Sequence, residues 1–175
     1  PLAETGDANC GISPYYFTMN DVIIARALHV LAVVAWIGGV AFVTTVLLPA
    51  VRRLKAPQER VQFFEDIESK FAWQARVTTL VVGVSGFYMT HAWDLWGRFA
   101  SASFWWMHAM VIVWAIFSVM LFVAEPLFLH RWFLRRATEK PEQTFTLIER
   151  MHWLLFLISA LTVMGAVAGS HGAMF

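Results

Sequence analysis

The chain has 175 residues, 59% hydrophobic and 14% charged, with nine Trp, fifteen Phe and a net charge of +1. That balance lies far outside the soluble range, and its long apolar runs point to a membrane class. No phosphate-cradling loop, CxxCH attachment site, Ser/His/Asp arrangement or Cys-rich metal motif is present, which excludes soluble hydrolase or kinase chemistry, and no nucleic-acid partner is expected.

The first twenty residues form a tail without Lys or Arg. Its opening, Pro-Leu-Ala-Glu, fits either a cleaved precursor or a start methionine removed before proline. The single Cys10 excludes an internal disulfide and leaves a free thiol, an intermolecular bridge or a metal contact. A membrane-spanning helix needs about 20 mostly apolar residues, and four segments are predicted to qualify: residues 22–48, 72–93, 104–129 and 147–170. The first carries Arg26, His29 and the pair Gly38-Gly39, and meets Pro49 near its end. A basic stretch follows (Arg52, Arg53, Lys55, Arg60, Lys70), within which residues 57–65 (PQERVQFFE) read as a helix start, because proline suits the first helical turn. That start is expected to run straight into the second span, which holds Gly83, Gly86 and His91.

Between the second and third spans the only basic residue is Arg98. The third span opens on Trp105, Trp106, Met107 and His108, and contains Glu125 just before Pro126, where a local kink is expected. Arg131, Arg135, Arg136 and Lys140 come next, then a second proline-started segment, 141–149 (PEQTFTLIE), leading into the fourth span and His171. The order span, proline, basic turn, proline-started helix therefore occurs twice. The expected fold is an all-α integral membrane protein, one domain over 1–175, a four-transmembrane-helix bundle of two parallel helical-hairpin repeats. Both basic stretches lie inside by the positive-inside rule, so both termini face outward. Trp93, Trp96, Trp105 and Trp106 form the outer aromatic belt, with Trp132 and Trp153 near the inner one.

Intramembrane ionisable groups are functional hypotheses by default. At about 1.5 Å per residue, His29 lies roughly 12 Å below Asp21 and His108 roughly 8 Å below Ser103, close enough in depth to reach one macrocycle from opposite sides. Paired axial histidines hold a b-type haem. The plain alternative is an interhelical hydrogen bond from each ring. His91 and His171 are shallower: interfacial histidines, ligands of a second metal, contacts to propionates or the lining of a quinone pocket. Arg26 is placed either to pair with a propionate or to snorkel at the interface. Met19, Met89, Met107, Met110 and Met174 near these histidines make a Cu(I) site the alternative, against ordinary apolar packing. His130 and His152 are expected among headgroups, and a second haem would need both turned inward. Glu125 belongs to a proton path or pairs with an arginine. The glycines, including Gly165-x-x-x-Gly169, offer faces for close helix contact or for a flat cofactor.

The string Arg26-Ala-Leu-His29-Val-Leu-Ala-Val-Val-Ala-Trp36-Ile-Gly-Gly39 resembles the first helix of two related membrane families. These are the CopD copper-resistance family and the HemJ protoporphyrinogen oxidase family, a small bundle bearing haem b. The opening Trp105-Trp-Met-His108 resembles the helix that carries a second histidine in the HemJ group. That group has a lysine two residues further on, where Met110 stands here, so the resemblance implies haem binding without implying protoporphyrinogen oxidation. The CopD resemblance implies a periplasm-facing site in a bacterial inner membrane. The leading expectation is a b-type cytochrome with haem on His29 and His108. It would exchange electrons with quinone or a periplasmic redox protein, within a multi-subunit complex or a homo-oligomer. A copper-handling protein and a structural accessory subunit are the alternatives.

Overall fold

A computed structural model describes residues 19–172, apart from the side chain of His130. The expectations for Cys10 and Met174 fall outside the described residues. Every regular element among them is helical. The first rod, Met19–Leu54, is built from α1 (Met19–Phe42), a π-helical turn (Val43–Leu47) and α2 (Leu48–Leu54). Leu48 N–H reaches back five residues to Val43 O. This wider turn lets Pro49 follow without its ring striking the carbonyl four residues earlier. The chain then turns in two residues, Lys55 and Ala56, and α3 (Pro57–Ala92) starts on its proline and runs unbroken for 36 residues.

At the far end α3 stops at Trp93, whose N–H bonds back to Met89 O at 3.1 Å. Asp94 follows with φ 50°, the left-handed conformation that Asp tolerates better than most residues. Two 3₁₀ turns, Trp96–Ala100 and Ala102–Phe104, lead into α4 (Trp105–Val119). A π-helical stretch (Met120–Leu129) surrounds Pro126 and passes into α5 (His130–Glu139). Three of the basic residues expected to form a connection here, Arg131, Arg135 and Arg136, are therefore helical, and the break before α6 (Pro141–Ser170) is Lys140 alone. Both halves thus share one order of elements: rod, π-helical widening at a proline, short turn, proline-started helix.

Among the described residues, three helical stretches are long and apolar enough to cross a membrane: Met19–Leu54, Ala102–Leu129 and Pro141–Ser170. The predicted span at 72–93 falls short, because Gln74, Arg76, Thr78, Thr79, Ser85 and Thr90 lower its hydropathy. The reason lies in its position. α3 packs on α1, α4, α5 and α6, so part of its polar surface meets protein, while Gln74 lies exposed with Trp73, Leu80 and Val84 on its outer face. Thr79 and Ser85 are buried, whereas Ile24, Leu31, Val34, Ile112, Leu154, Leu161 and Met164 lie exposed on the neighbouring helices. An outside more apolar than its inside is what a lipid solvent selects.

Aromatic rings on glycine close the helix pairs. A Cβ on Gly39 would collide with the Phe71 ring, and one on Gly165 or Gly169 would collide with Trp105 or Trp106. These glycine faces are filled by the protein's own rings. At the basic end, Val43, Leu48, Val51, Val61, Phe64, Phe133, Phe145 and Ile148 form a tight core. A charge clamp covers it. Arg52 donates from Nε and Nη2 to the two oxygens of Glu149 (2.8 and 2.6 Å), to Thr146 Oγ1 (2.9 Å) and to Glu142 (2.5 Å), and Arg60 also pairs with Glu142. The clamp ties the first half of the chain to the second. Arg52→Met is expected to cost about 2 kcal/mol, since hydrogen bonds to charged groups contribute about 1.5–3 each and this one is partly exposed. Thermal unfolding in detergent measures it, and a midpoint equal to that of the unaltered protein would show the clamp to be idle.

Candidate functional site

His29 projects from α1 onto α3. Its Nδ1 lies 3.1 Å from Val82 O and 3.0 Å from Ser85 Oγ. The Ser85 hydroxyl already gives its proton to Val81 O at 2.5 Å, so both neighbours of Nδ1 accept. The proton is therefore on Nδ1 and the lone pair on Nε2. Gly86 makes this approach possible, since a Cβ there would stand 3.2 Å from His29 Cε1. A ring whose Nδ1–H is held by backbone and hydroxyl acceptors is oriented as metal-binding histidines usually are.

His108 has different surroundings. It shares one face of α4 with Ile112 and Val119, both well exposed, and the 3₁₀ turn Trp96–Ala100 folds over it. Its Nε2 is 3.0 Å from Phe99 O and its Nδ1 3.3 Å from Phe104 O. The Phe99 ring stands perpendicular to the imidazole at 5.4 Å. A neutral ring donates to only one of these carbonyls, and the shorter contact puts the proton on Nε2. His29 and His108 thus bond to separate partners, α3 for one and the Phe99 turn for the other. His91 and His171 are exposed at the ends of α3 and α6, and His171 donates from Nδ1 to Val167 O at 2.8 Å. Arg26 is exposed on α1, Met107 is buried and Met110 lies at the helix surface. Among the described residues, no three His, Cys, Asp or Glu side chains come together as a metal-holding group.

No family model, curated protein or solved structure matches the chain. The reading of the site therefore rests on its own chemistry.

A second polar region lies inside the bundle toward the basic end. A cavity of about 110 Å³ is lined from all four long helical stretches, including Trp36, Glu65, Glu68, Phe117, Glu125, Met151 and His152. His152, expected among headgroups, is turned inward instead. Its side chain is only 19% exposed, with Nε2 3.8 Å from Glu68 Oε1. Its Nδ1–H donates to Ile148 O at 2.9 Å, and the ring stands edge-on to Phe64 at 5.5 Å. Its one-turn bond to Ile148 and the aromatic wall fix the ring; neither leaves a mark in the sequence.

Glu125 pairs with Arg76, one of the two roles expected for it. Arg76 does more than neutralise it. Pro126 has no N–H, so within a π-helical register the carbonyl five residues earlier, that of Leu121, loses its donor. Arg76 Nε supplies one at 3.1 Å. Arg76, Glu65 and Glu68 were not singled out from the sequence, and Trp36 entered only as part of the string 26–39. A signal was available for the acids: Glu65, Glu68, Ala72, Ala75 and Thr79 recur at three- and four-residue intervals, the buried stripe of α3.

Proposed function

We propose that this chain is a four-span membrane cytochrome b whose haem would be held by His29. It moves electrons near the periplasmic face of a bacterial inner membrane, as a subunit or partner of a larger redox assembly. One observation carries the reading: the Nδ1–H of His29 is committed to Val82 and Ser85, which leaves Nε2 unprotonated in an apolar bundle. Bound haem b supplies a one-electron carrier, with a potential set by its axial ligands and surroundings. The chain's own residues do the rest. Ser85 and the Val82 carbonyl hold the tautomer and ring plane, Gly86 lets the ring seat against α3, and Arg26, one turn earlier, is available to a propionate.

His108 fits less directly. Its Nε2 donates to Phe99 O, so its service as second ligand requires the Trp96–Ala100 turn to release it. In this reading α3 is the fourth span, with Thr79 and Ser85 turned to its neighbours and Leu80 and Val84 to lipid. The arginines at the ends of α2 and α5 mark the cytoplasmic side and leave both termini outside.

The test is the visible spectrum of purified protein, oxidised and dithionite-reduced. A Soret band is expected, His29→Ala should remove at least nine-tenths of it, and Ser85→Ala should weaken haem retention by about 10–100-fold, the usual cost of losing a group that orients a ligand. A colourless protein, or unchanged haem in His29→Ala, overturns the proposal.

A further inference from the structure

The cavity near the basic end is separate from the His29 site and has its own chemistry. Its wall includes Trp36, which is 5% exposed, and whose indole N–H has no hydrogen-bond acceptor among the described residues. The ring of Phe117, perpendicular to it at 4.8 Å, offers at most a weak acceptor. Indole N–H groups usually find a partner when buried, and a buried donor without one is a standing penalty that an incoming acceptor removes. At the other end, His152 and Glu68 present an imidazole nitrogen and a carboxylate to the same space. Because His152 Nδ1–H is held by Ile148, its Nε2, 3.8 Å from Glu68 Oε1, is the nitrogen turned to the cavity, as acceptor when neutral and as donor when protonated. The rest of the wall is mostly apolar, with Phe71, Phe117, Met120 and Met151, and also carries Glu65 and the Arg76-paired Glu125.

We infer that this cavity binds the head group of a membrane quinone, with one carbonyl taking the Trp36 N–H and the opposite oxygen meeting His152. The chemistry selects that class. A ligand here must be flat and apolar through its middle and carry oxygen at both ends. It must also arrive through lipid, since the neighbouring helix surfaces are apolar. An acyl chain matches the walls but leaves the Trp36 N–H unanswered, and it puts hydrocarbon against Glu68 and His152. A quinone matches both, and its reduced form, donating from O–H, suits neutral His152 or the Glu68 carboxylate equally well. Any redox role for the site rests on the electron-transfer reading above. Binding of the quinone does not, because neither His29 nor His108 lines the cavity and none of their hydrogen-bond partners does.

The experiment is equilibrium binding of decylubiquinone to the purified full chain in detergent, repeated on His29→Ala so that the result is independent of haem. Saturable binding at one per chain is expected in both. Trp36→Phe, which keeps an aromatic ring and removes the donor, should weaken it by about five- to tenfold, as for one lost hydrogen bond. Ala75→Leu, which fills the cavity from α3, should abolish it, with thermal unfolding reporting whether the variant still folds. Absence of saturable binding, or an affinity unchanged in Trp36→Phe, overturns the inference. Equal competition by decane overturns it as well, by assigning the cavity to acyl chains. Loss of haem in His29→Ala with quinone binding intact sustains this inference on its own, and a haem-free protein that binds quinone separates it from the cytochrome reading.

Discussion

Replacing Arg76 by Leu is expected to destabilise the protein by about 3–5 kcal/mol, the usual cost of stripping one partner from an ion pair shielded from water. The guanidinium serves two groups at once, the Glu125 carboxylate and the Leu121 carbonyl that Pro126 leaves without a donor. Both side chains retain about a third of their surface, 30% and 32%, but the residues around them on this stretch, Leu127 and Phe128, are exposed and apolar. That surface therefore meets lipid, and water does not screen the pair. The two roles can be separated. Arg76→Leu with Glu125→Leu removes the charge imbalance and should recover about half the loss, leaving the orphaned carbonyl at about 1–3 kcal/mol. Adding Pro126→Ala restores a backbone N–H to the stretch and should recover most of what remains. Unfolding by SDS titration of the four proteins checks the series. If Arg76→Leu costs no more than an exposed change such as Leu127→Ala, the account of this bridge is wrong.

The same bridge shows what was legible beforehand. Glu125 stood out because an acid in an apolar run is conspicuous, and Pro126 because proline always removes a donor. That Arg76 answers both depends on how α3 is rotated, and rotation was not legible. In a soluble protein the polar face of a helix marks the outside. Here the lipid-facing helices are apolar on every side, so periodicity does not distinguish core from surface. Prolines at helix starts obey local rules, and α3 and α6 begin at Pro57 and Pro141 as expected. His152 and His108 obey none: one was expected at the surface and turns inward, the other sits under a 3₁₀ turn on an outer face. Low hydropathy at 72–93, a weakness for a membrane span, is the mark of the helix with most protein around it.

Helix rotation can be tested by the glycines, which report one neighbour each. Gly83→Ala is expected to cost about 1–3 kcal/mol, the range for overpacking a well-filled site. Its Cβ would lie 2.7 Å from the indole of Trp114, and that ring cannot retreat cheaply, because Nε1–H is bonded to Thr79 O at 2.9 Å and its face meets Phe87 edge-on at 5.5 Å. Gly86→Ala should cost less, since 3.2 Å from His29 asks the imidazole to give by a few tenths of an ångström; its effect should be larger on haem retention than on unfolding. Gly38→Ala meets nothing within 4 Å and should be neutral, or stabilising by up to about 1 kcal/mol through helix propensity. The order Gly83, Gly86, Gly38 follows from the rotation of α1 and α3 alone, because composition and depth treat Gly83 and Gly86 alike. Thermal unfolding of the three variants in one detergent tests it. A Gly38→Ala loss equal to that of Gly83→Ala would mean that α1 is turned differently, and with it His29.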